Sequence, residues 1–321
     1  MTNLVHPSQR AATDRTAQAR NRVAAAVLGA ALSIAIAATG CSLDSANIPS
    51  DPVERDIEVV RVAQHGTHGR LRALIEAGGN AAQRDDLGWT PLHYAINRFR
   101  NKDYDELRVV EVLLEAPGVD VQARTNSGDS PITLAAEHGN IELLELLLAN
   151  GADLEYRESD SFTVLTSALR RRQLAMARHL LDKGVDVNEP LKGGGSALFI
   201  ALRSRDQQAV QMLIDANVDI HGGGKAAAPV IFAAALRDVE LMKLLLDAGA
   251  DVNAVNPTNG LTALHRAVGS GSEMVKLLLD AGARGGVVDK EGHTPLDLAN
   301  ELGDESIIAL LGARLTSATP Q

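Results

Sequence analysis

The sequence predicts an all-α solenoid of about eight helix-turn-helix units, and three observations predict it. A block reading Gly88-Trp89-Thr90-Pro91-Leu92-His93-Tyr94-Ala95 returns near the end as Gly292-His293-Thr294-Pro295-Leu296-Asp297-Leu298-Ala299. The anchor position held by Thr90 recurs at Ser130, Thr163, Ser196, Ala228, Thr262 and Thr294, in steps of 40, 33, 33, 32, 34 and 32 residues. Strongly apolar runs closed by glycine recur at the same interval, such as Leu143–Leu148 before Gly151 and Leu241–Leu246 before Gly249. A fixed period near 33 residues marks a stack of like units, each burying its apolar face on its neighbours. Length alone argues for two domains in 321 residues, but the repeat overrides that prior. Only 2% of the residues are aromatic, so the core must be built from Leu, Ala, Val and Ile.

Within each unit the letters have separate physical tasks. Thr or Ser at the anchor caps a helix N-terminus by accepting an orphan backbone N–H. Proline follows at Pro91, Pro131, Pro229 and Pro295, the first helical position, where a missing N–H costs nothing. Small residues such as Ala135-Ala136 and Ala233-Ala234-Ala235 let neighbouring units approach closely. Nine residues after the anchor, Gly139, Gly271 and Gly303 suit a left-handed helix end. A second cap (Asn140, Asp206, Asp238, Ser272 or Asp304) starts the apolar helix. A polar turn such as Ala250-Asp251-Val252-Asn253 leads on to the next unit.

These residues resemble the ankyrin repeat, with its Thr-Pro-Leu-His-x-Ala pattern and 33-residue period. The resemblance covers residues 55–314 and implies a solenoid with short β-turn fingers. The first unit lacks Thr-Pro but keeps Gly66 and Leu74–Gly78, and the eighth stops at Leu310-Leu311-Gly312 as a cap. An insertion of about seven residues around Phe99–Leu107 explains the long step in unit two, and is read as a loop between its two helices. By the same resemblance, His93 and His265 bond within the repeat backbone.

The front of the chain differs. Arg10, Arg15, Arg20 and Arg22 precede an uncharged stretch, Val23 to Ala38, too short for a membrane span of ~20 residues. It fits the apolar region of a secretory signal. Thr39-Gly40-Cys41-Ser42 then resembles a bacterial lipoprotein signal, which implies acylation of Cys41, the single cysteine, and Ser42 favours the outer membrane. The alternatives are ordinary cleavage after Ala35-Ile36-Ala37 and a buried free cysteine. The expected organisation is a signal at 1–40, a tether at 41–54, the repeats at 55–314 and a flexible tail at 315–321. Removing the signal takes the balance to 27 basic against 40 acidic residues, which argues against nucleic acid as partner.

By resemblance, partners meet the turn tips and the ends of the first helices. Asp129 lies at one tip; Trp89 and Phe162 are aromatic candidates there, or else pack on neighbouring turns. The helix-end stripe runs through Gln64-His65, Asn97-Arg98, Glu137-His138, Arg170-Arg171, Arg203-Ser204 and Ala235-Leu236. Directly after it, Arg172, Arg205 and Arg237 replace the capping glycine in three successive units. Non-glycine residues in a left-handed cap are strained by about 1 kcal/mol. Three such arginines on an acidic chain suggest a basic strip for an acidic partner surface. The other reading is that these helices end without a left-handed residue, with the arginines solvated or paired to Asp206 and Asp238.

No motif argues for catalysis. His65 and His68 lack the companions of a metal site. Gly222-Gly223-Gly224-Lys225 lacks the spacing and the Ser/Thr of a phosphate loop, and Gly269-Ser270-Gly271-Ser272 has no preceding strand for a nucleophile elbow. The sequence therefore predicts a non-enzymatic monomer without cofactors: a lipid-anchored scaffold or adaptor on the periplasmic side of a bacterial outer membrane, or a soluble periplasmic form. Two alternatives stay open, an immunity protein blocking a periplasm-acting toxin or enzyme, and a secreted effector binding host proteins.

Overall fold

The computed structural model describes residues 47–98, 104–155, 157–158, 162–191, 195–222 and 228–317. Cys41, the signal region and the glycine-rich stretches 192–194 and 223–227 lie outside the described residues.

Sixteen described helices form eight consecutive pairs. The first helices are α1 (Pro52–His65), α3 (Pro91–Asn97), α5 (Pro131–His138), α7 (Val164–Arg170), α9 (Ala197–Arg203), α11 (Pro229–Leu236), α13 (Ala263–Val268) and α15 (Pro295–Leu302). Their partners are α2 (His68–Glu76), α4 (Tyr104–Glu115), α6 (Ile141–Ala149), α8 (Leu174–Asp182), α10 (Gln207–Asp215), α12 (Val239–Asp247), α14 (Ser272–Asp280) and α16 (Glu305–Ser317). Each first helix packs on its partner and on the first helices before and after it. The result is an all-α solenoid whose only described strands are β1 (Arg157–Glu158) and β2 (Phe162–Thr163), an antiparallel finger in unit four.

The anchor residues cap as the sequence predicts. Thr90, Ser130, Thr163, Ser196, Thr262 and Thr294 each accept from the backbone N–H three residues on. In five of them the residue at that third position returns a bond to the anchor's own N–H: His93, Thr133, Thr166, His265 and Asp297. This is a reciprocal capping box. Two adjacent units lack it. Ser196 is followed at that position by Phe199, and Ala228 has no hydroxyl to offer.

Five residues beyond the anchor every unit from the second to the eighth has alanine: Ala95, Ala135, Ala168, Ala201, Ala233, Ala267 and Ala299, all buried. The methyl side chain lets successive first helices stack at close range. Leu71, Leu74, Leu92, Leu113, Leu143, Leu147, Leu165, Leu180, Leu213 and Leu245 fill the space between the layers. The core is thus a continuous strip of aliphatic residues, as the low aromatic content requires.

Hydrogen bonds knit one unit to the next. In the turns, Asp186 Oδ1 accepts from Asn188 N at 2.8 Å and Asp251 Oδ1 from Asn253 N at 2.9 Å. The asparagines then cross over: Asn188 Nδ2 donates to Asn217 O and Asn253 Nδ2 to Gly282 O, both at 3.2 Å. The fingers also touch, Asn126 N donating to Leu87 O at 2.8 Å and Lys290 N to Asn259 O at 3.0 Å.

The structure corrects several boundaries. Asp51 caps α1 and Pro52 occupies its first turn, so the repeats begin before residue 55 and the last tether residues are helical. At the other end α16 continues to Ser317, beyond the expected limit at 314. In the insertion, residues 99–103 lie outside the described residues, but Tyr104–Leu107 are the first turn of α4 rather than loop, because Tyr104-Asp105-Glu106-Leu107 runs straight into an apolar-periodic segment. Gly139 and Gly303 end their helices left-handed, at φ 69° and 70°. Gly271 does not: α13 ends at Gly269, and Gly271 instead precedes α14 at φ 108°, which removes Ser272 as a cap.

Candidate functional site

The helix-end stripe is a place where backbone carbonyls run out of partners, since the last four C=O groups of any helix have none within it. Side chains from adjacent units supply them. Arg98 Nη1 donates to Gly66 O at 3.0 Å and Ala63 O at 3.3 Å. Gln173 Nε2 donates to Glu137 O at 3.2 Å, Arg205 Nη2 to Leu236 O at 2.7 Å, and Ser270 Oγ to Ala234 O at 2.7 Å. Arg98, expected as a partner contact, is largely committed to this stitching and to Glu106, 3.9 Å from its Nε. A hollow of about 620 Å³ lies beside it, lined by Gln64, His65, Tyr94, Asn97, Arg98 and Glu106.

Arg172, Arg205 and Arg237 do adopt the left-handed conformation, at φ 59°, 51° and 58°. The reading in which these helices avoid that conformation is therefore overturned. Their guanidinium groups are used unequally. Arg172 Nε pairs with Asp206 Oδ2 at 3.1 Å, while Arg205 bonds the Leu236 carbonyl. Arg237 is exposed and makes no side-chain hydrogen bond or ion pair among the described residues. Its neighbour Asp238, the expected counter-ion, instead caps α12 by accepting from Leu241 N at 3.1 Å.

Glu137 organises the next group. Arg170 pairs with its Oε1, and Arg171 Nε lies 3.1 Å from its Oε2. Glu137 keeps only 10% of its side chain exposed, so it is a held counter-ion rather than a loose surface acid. Burial, then the like charges of Arg171 and Arg203, push Arg170 below the usual arginine range, and Asp129 partly offsets them. The guanidinium of Arg170 lies 4.6 Å from the centroid of the half-buried Phe162 ring. Arg203 is exposed, without hydrogen bond or ion pair among the described residues. Six arginines thus share two ion-pairing carboxylates, Glu137 and Asp206, so positive charge is concentrated at the helix ends of units four to six on a chain of net −10.

The other candidate residues have local work. Trp89 is half-buried, its ring 5.1 Å from Tyr94 and 5.8 Å from His93, so it packs on its own unit. Tyr94 in turn donates to Asp85, and burial together with that carboxylate raises its pKa. Asp129 accepts from Ser127 Oγ at 2.6 Å and shapes its finger. His138 is half-buried at the end of α5. His93 and His265 are buried within the repeat. Thr90 N donates to His93 Nδ1 at 3.2 Å, which leaves the proton on Nε2 to donate to Asp129 O, also at 3.2 Å. His265 repeats this with Thr262 N at 3.1 Å and His293 O at 3.1 Å. Burial holds both histidines below their ordinary pKa.

One further contact joins two adjacent units and is not announced by any sequence motif. Phe199 on α9 and Phe232 on α11, both half-buried, meet edge to face with centroids 5.4 Å apart. Phe199 stands at the position where five other units place the His, Thr or Asp of the capping box, and one turn before Arg203. That mismatch with the repeat is the signal by which it could have been found. Among the described residues no group of three or more His, Cys, Asp or Glu is placed to hold a metal ion, and no helix is long and apolar enough to cross a membrane.

A family model described as ankyrin repeats (3 copies) matches residues 100–190, 134–223 and 230–318, together more than half of the chain. A putative ankyrin repeat protein of Acanthamoeba polyphaga mimivirus is 40% identical over 76 residues, 24% of this chain and 10% of that protein. The 2-5A-dependent ribonuclease of Homo sapiens is 33% identical over 92 residues, 28% of this chain and 12% of that protein. The chain thus spans at most 12% of the length of these two curated relatives. Among solved structures, an ankyrin repeat domain from Acinetobacter baumannii AYE superposes with TM-score 0.53 at 30% identity, covering 57% of this chain and 97% of that domain.

Proposed function

We propose, from the premise that this chain belongs to the ankyrin-repeat family, that it is an envelope-anchored adaptor. It holds another protein on the finger and helix-end face of its solenoid. Ankyrin repeats are protein–protein interaction scaffolds, generally without catalysis; the anchor, the location and the acidic character of the partner are our reading. The observation that carries it is the cluster of exposed arginines at the helix ends of units four to six, on an acidic chain. Recognition then uses a backbone formed before binding, with Arg170, Arg171, Arg172 and Arg205 already held by bonds within the solenoid, which limits the ordering entropy lost on association. Acylation at Cys41 would hold the repeats on the periplasmic side of a bacterial outer membrane, and it rests on Thr39-Gly40-Cys41-Ser42 following an apolar stretch.

Affinity capture with the full chain tests the face. A partner retained by the parent and released when Arg171, Arg203 and Arg205 are changed to Glu supports it. Equal capture by both sinks the basic strip, and no specific capture by either sinks the adaptor. Incorporation of a fatty-acid analogue that is abolished in Cys41→Ala supports the anchor; labelling retained in that variant removes it.

A further inference from the structure

The binding reading can be sharpened from a surface partner to a kind of peptide segment, and the following rests on the adaptor reading. Aromatic residues are scarce here, yet three of the four phenylalanines (Phe162, Phe199 and Phe232) lie on units four to six. That is also where the arginines gather. The two sets interleave. Phe162 lies under Arg170 at 4.6 Å. Arg170 is close enough to Arg203 for their like charges to oppose each other. Phe199 and Arg203 are four residues apart on α9, hence on one helix face. Phe199 meets Phe232 edge to face. On α11, Leu236 stands one turn after Phe232, and Arg205 Nη2 bonds its carbonyl at 2.7 Å. The path therefore runs as a half-buried ring, a guanidinium, a second guanidinium and a pair of rings.

Two features of this path are unexplained by folding alone. Phe199 takes a position that in five units carries a capping side chain, so α9 gives up its reciprocal cap. Arg237 is held left-handed with no partner that would offset the strain. Backbone strain and lost local bonds of this sort are retained at functional sites. Aromatic residues and arginine are the types enriched among the few residues that dominate interface energy.

We infer that the occupant of this path is an acidic segment of another protein carrying at least one aromatic or large aliphatic side chain. Its carboxylates engage Arg203, Arg237 and the free donors of Arg171 and Arg205. Its apolar side chain covers the Phe199–Phe232 pair. A purely acidic segment would leave that pair wet, and a purely apolar one would bury unpaired guanidinium groups, which is costly.

Selection of 12-residue peptides from a random displayed library on the full chain tests this. The expected winners have net negative charge and one or more Phe, Tyr, Trp, Leu or Ile. Measured by fluorescence anisotropy, their affinity falls at least tenfold in Phe199→Ala with the salt dependence intact. In Arg203→Glu it falls at least tenfold and the salt dependence flattens. Unchanged far-ultraviolet circular dichroism in both variants, and retained binding by Phe199→Leu, show that the face and not the fold is being read. The inference is overturned by winners without acidic or apolar enrichment, by either variant binding the winners as tightly as the parent, or by no selection at all. Concentration-dependent dimers abolished by Arg203→Glu would give the face to a second copy of this chain and overturn the peptide too. Capture of a protein partner that ignores Phe199 and Arg203 but needs other fingers would overturn this inference while leaving the adaptor standing.

Discussion

Replacing Arg237 by glycine should make this protein more stable, and the structure gives the size of the effect. Arg237 sits at φ 58°, ψ 34°, immediately after α11, with an exposed side chain. A left-handed non-glycine residue is disfavoured by ~1–2 kcal/mol. Glycine removes that strain but gains freedom in the unfolded chain, which returns about 0.5–1 kcal/mol. With no side-chain bond to lose, Arg237→Gly should stabilise by about 0.5–1 kcal/mol. Arg172→Gly removes the same strain but also strips Asp206, whose side chain is only 7% exposed, of its cation. Arg172 itself is 64% exposed, so that loss is discounted to about 1 kcal/mol and the net change is near zero. Arg205→Gly loses a hydrogen bond to a carbonyl, again about 1 kcal/mol, with the same near-zero balance. Urea unfolding of the full chain, followed by circular dichroism, should therefore place the Arg237→Gly midpoint above the parent and the other two beside it. An Arg237→Gly midpoint at or below the parent would refute the strain argument. So would three equal shifts.

The remaining predictions concern caps, core and pH. Ala228→Ser supplies the cap that unit six lacks and should stabilise by about 1 kcal/mol, read as a raised thermal midpoint; no change would mean that the Pro229 turn cannot present the hydroxyl. Ala168→Val pushes extra methyls between stacked first helices and should destabilise by about 1–3 kcal/mol in urea unfolding, whereas an unchanged midpoint would disprove close stacking. Burial lowers the folded-state pKa of His93 and His265, so the unfolded chain takes up protons first. Their contribution is full above the unfolded value of about 6.5 and is lost as pH falls from there through the lower folded values. The double variant His93→Thr/His265→Thr, which copies Thr133 and Thr166, should flatten the decline in stability between pH 7.5 and pH 5; an equally steep decline would place the sensitivity elsewhere.

The repeat made the fold legible because each unit must satisfy the same caps and the same spacing. Thr90, Ser130 and Thr294 cap where their pattern says, and the glycine substitutions at Arg172, Arg205 and Arg237 marked left-handed positions that the chain does adopt. What the pattern could not carry were relations across units. Glu137 gathers Arg170 and Arg171 from a unit away, and Arg205 reaches a carbonyl 31 residues on. Neither is visible in any one unit's letters. Trp89 was ambiguous for the opposite reason: its partners Tyr94 and His93 are local, but ring contacts depend on rotamers that spacing does not specify. Gly271 misled because two glycines stand close together, and α13 ends at the earlier one.

The carbonyls at the end of α11 are secured from both directions, Leu236 O by Arg205 and Ala234 O by Ser270. During synthesis Arg205 has already left the ribosome when α11 emerges, but Ser270 comes more than thirty residues later. Chains are synthesised from the N-terminal side at ~5–20 residues per second. For some seconds the sixth unit therefore stands with one clasp closed, no hydroxyl cap at Ala228, and its arginines accessible. A nascent chain halted there would expose part of its arginine strip before it had finished building the unit that bears it.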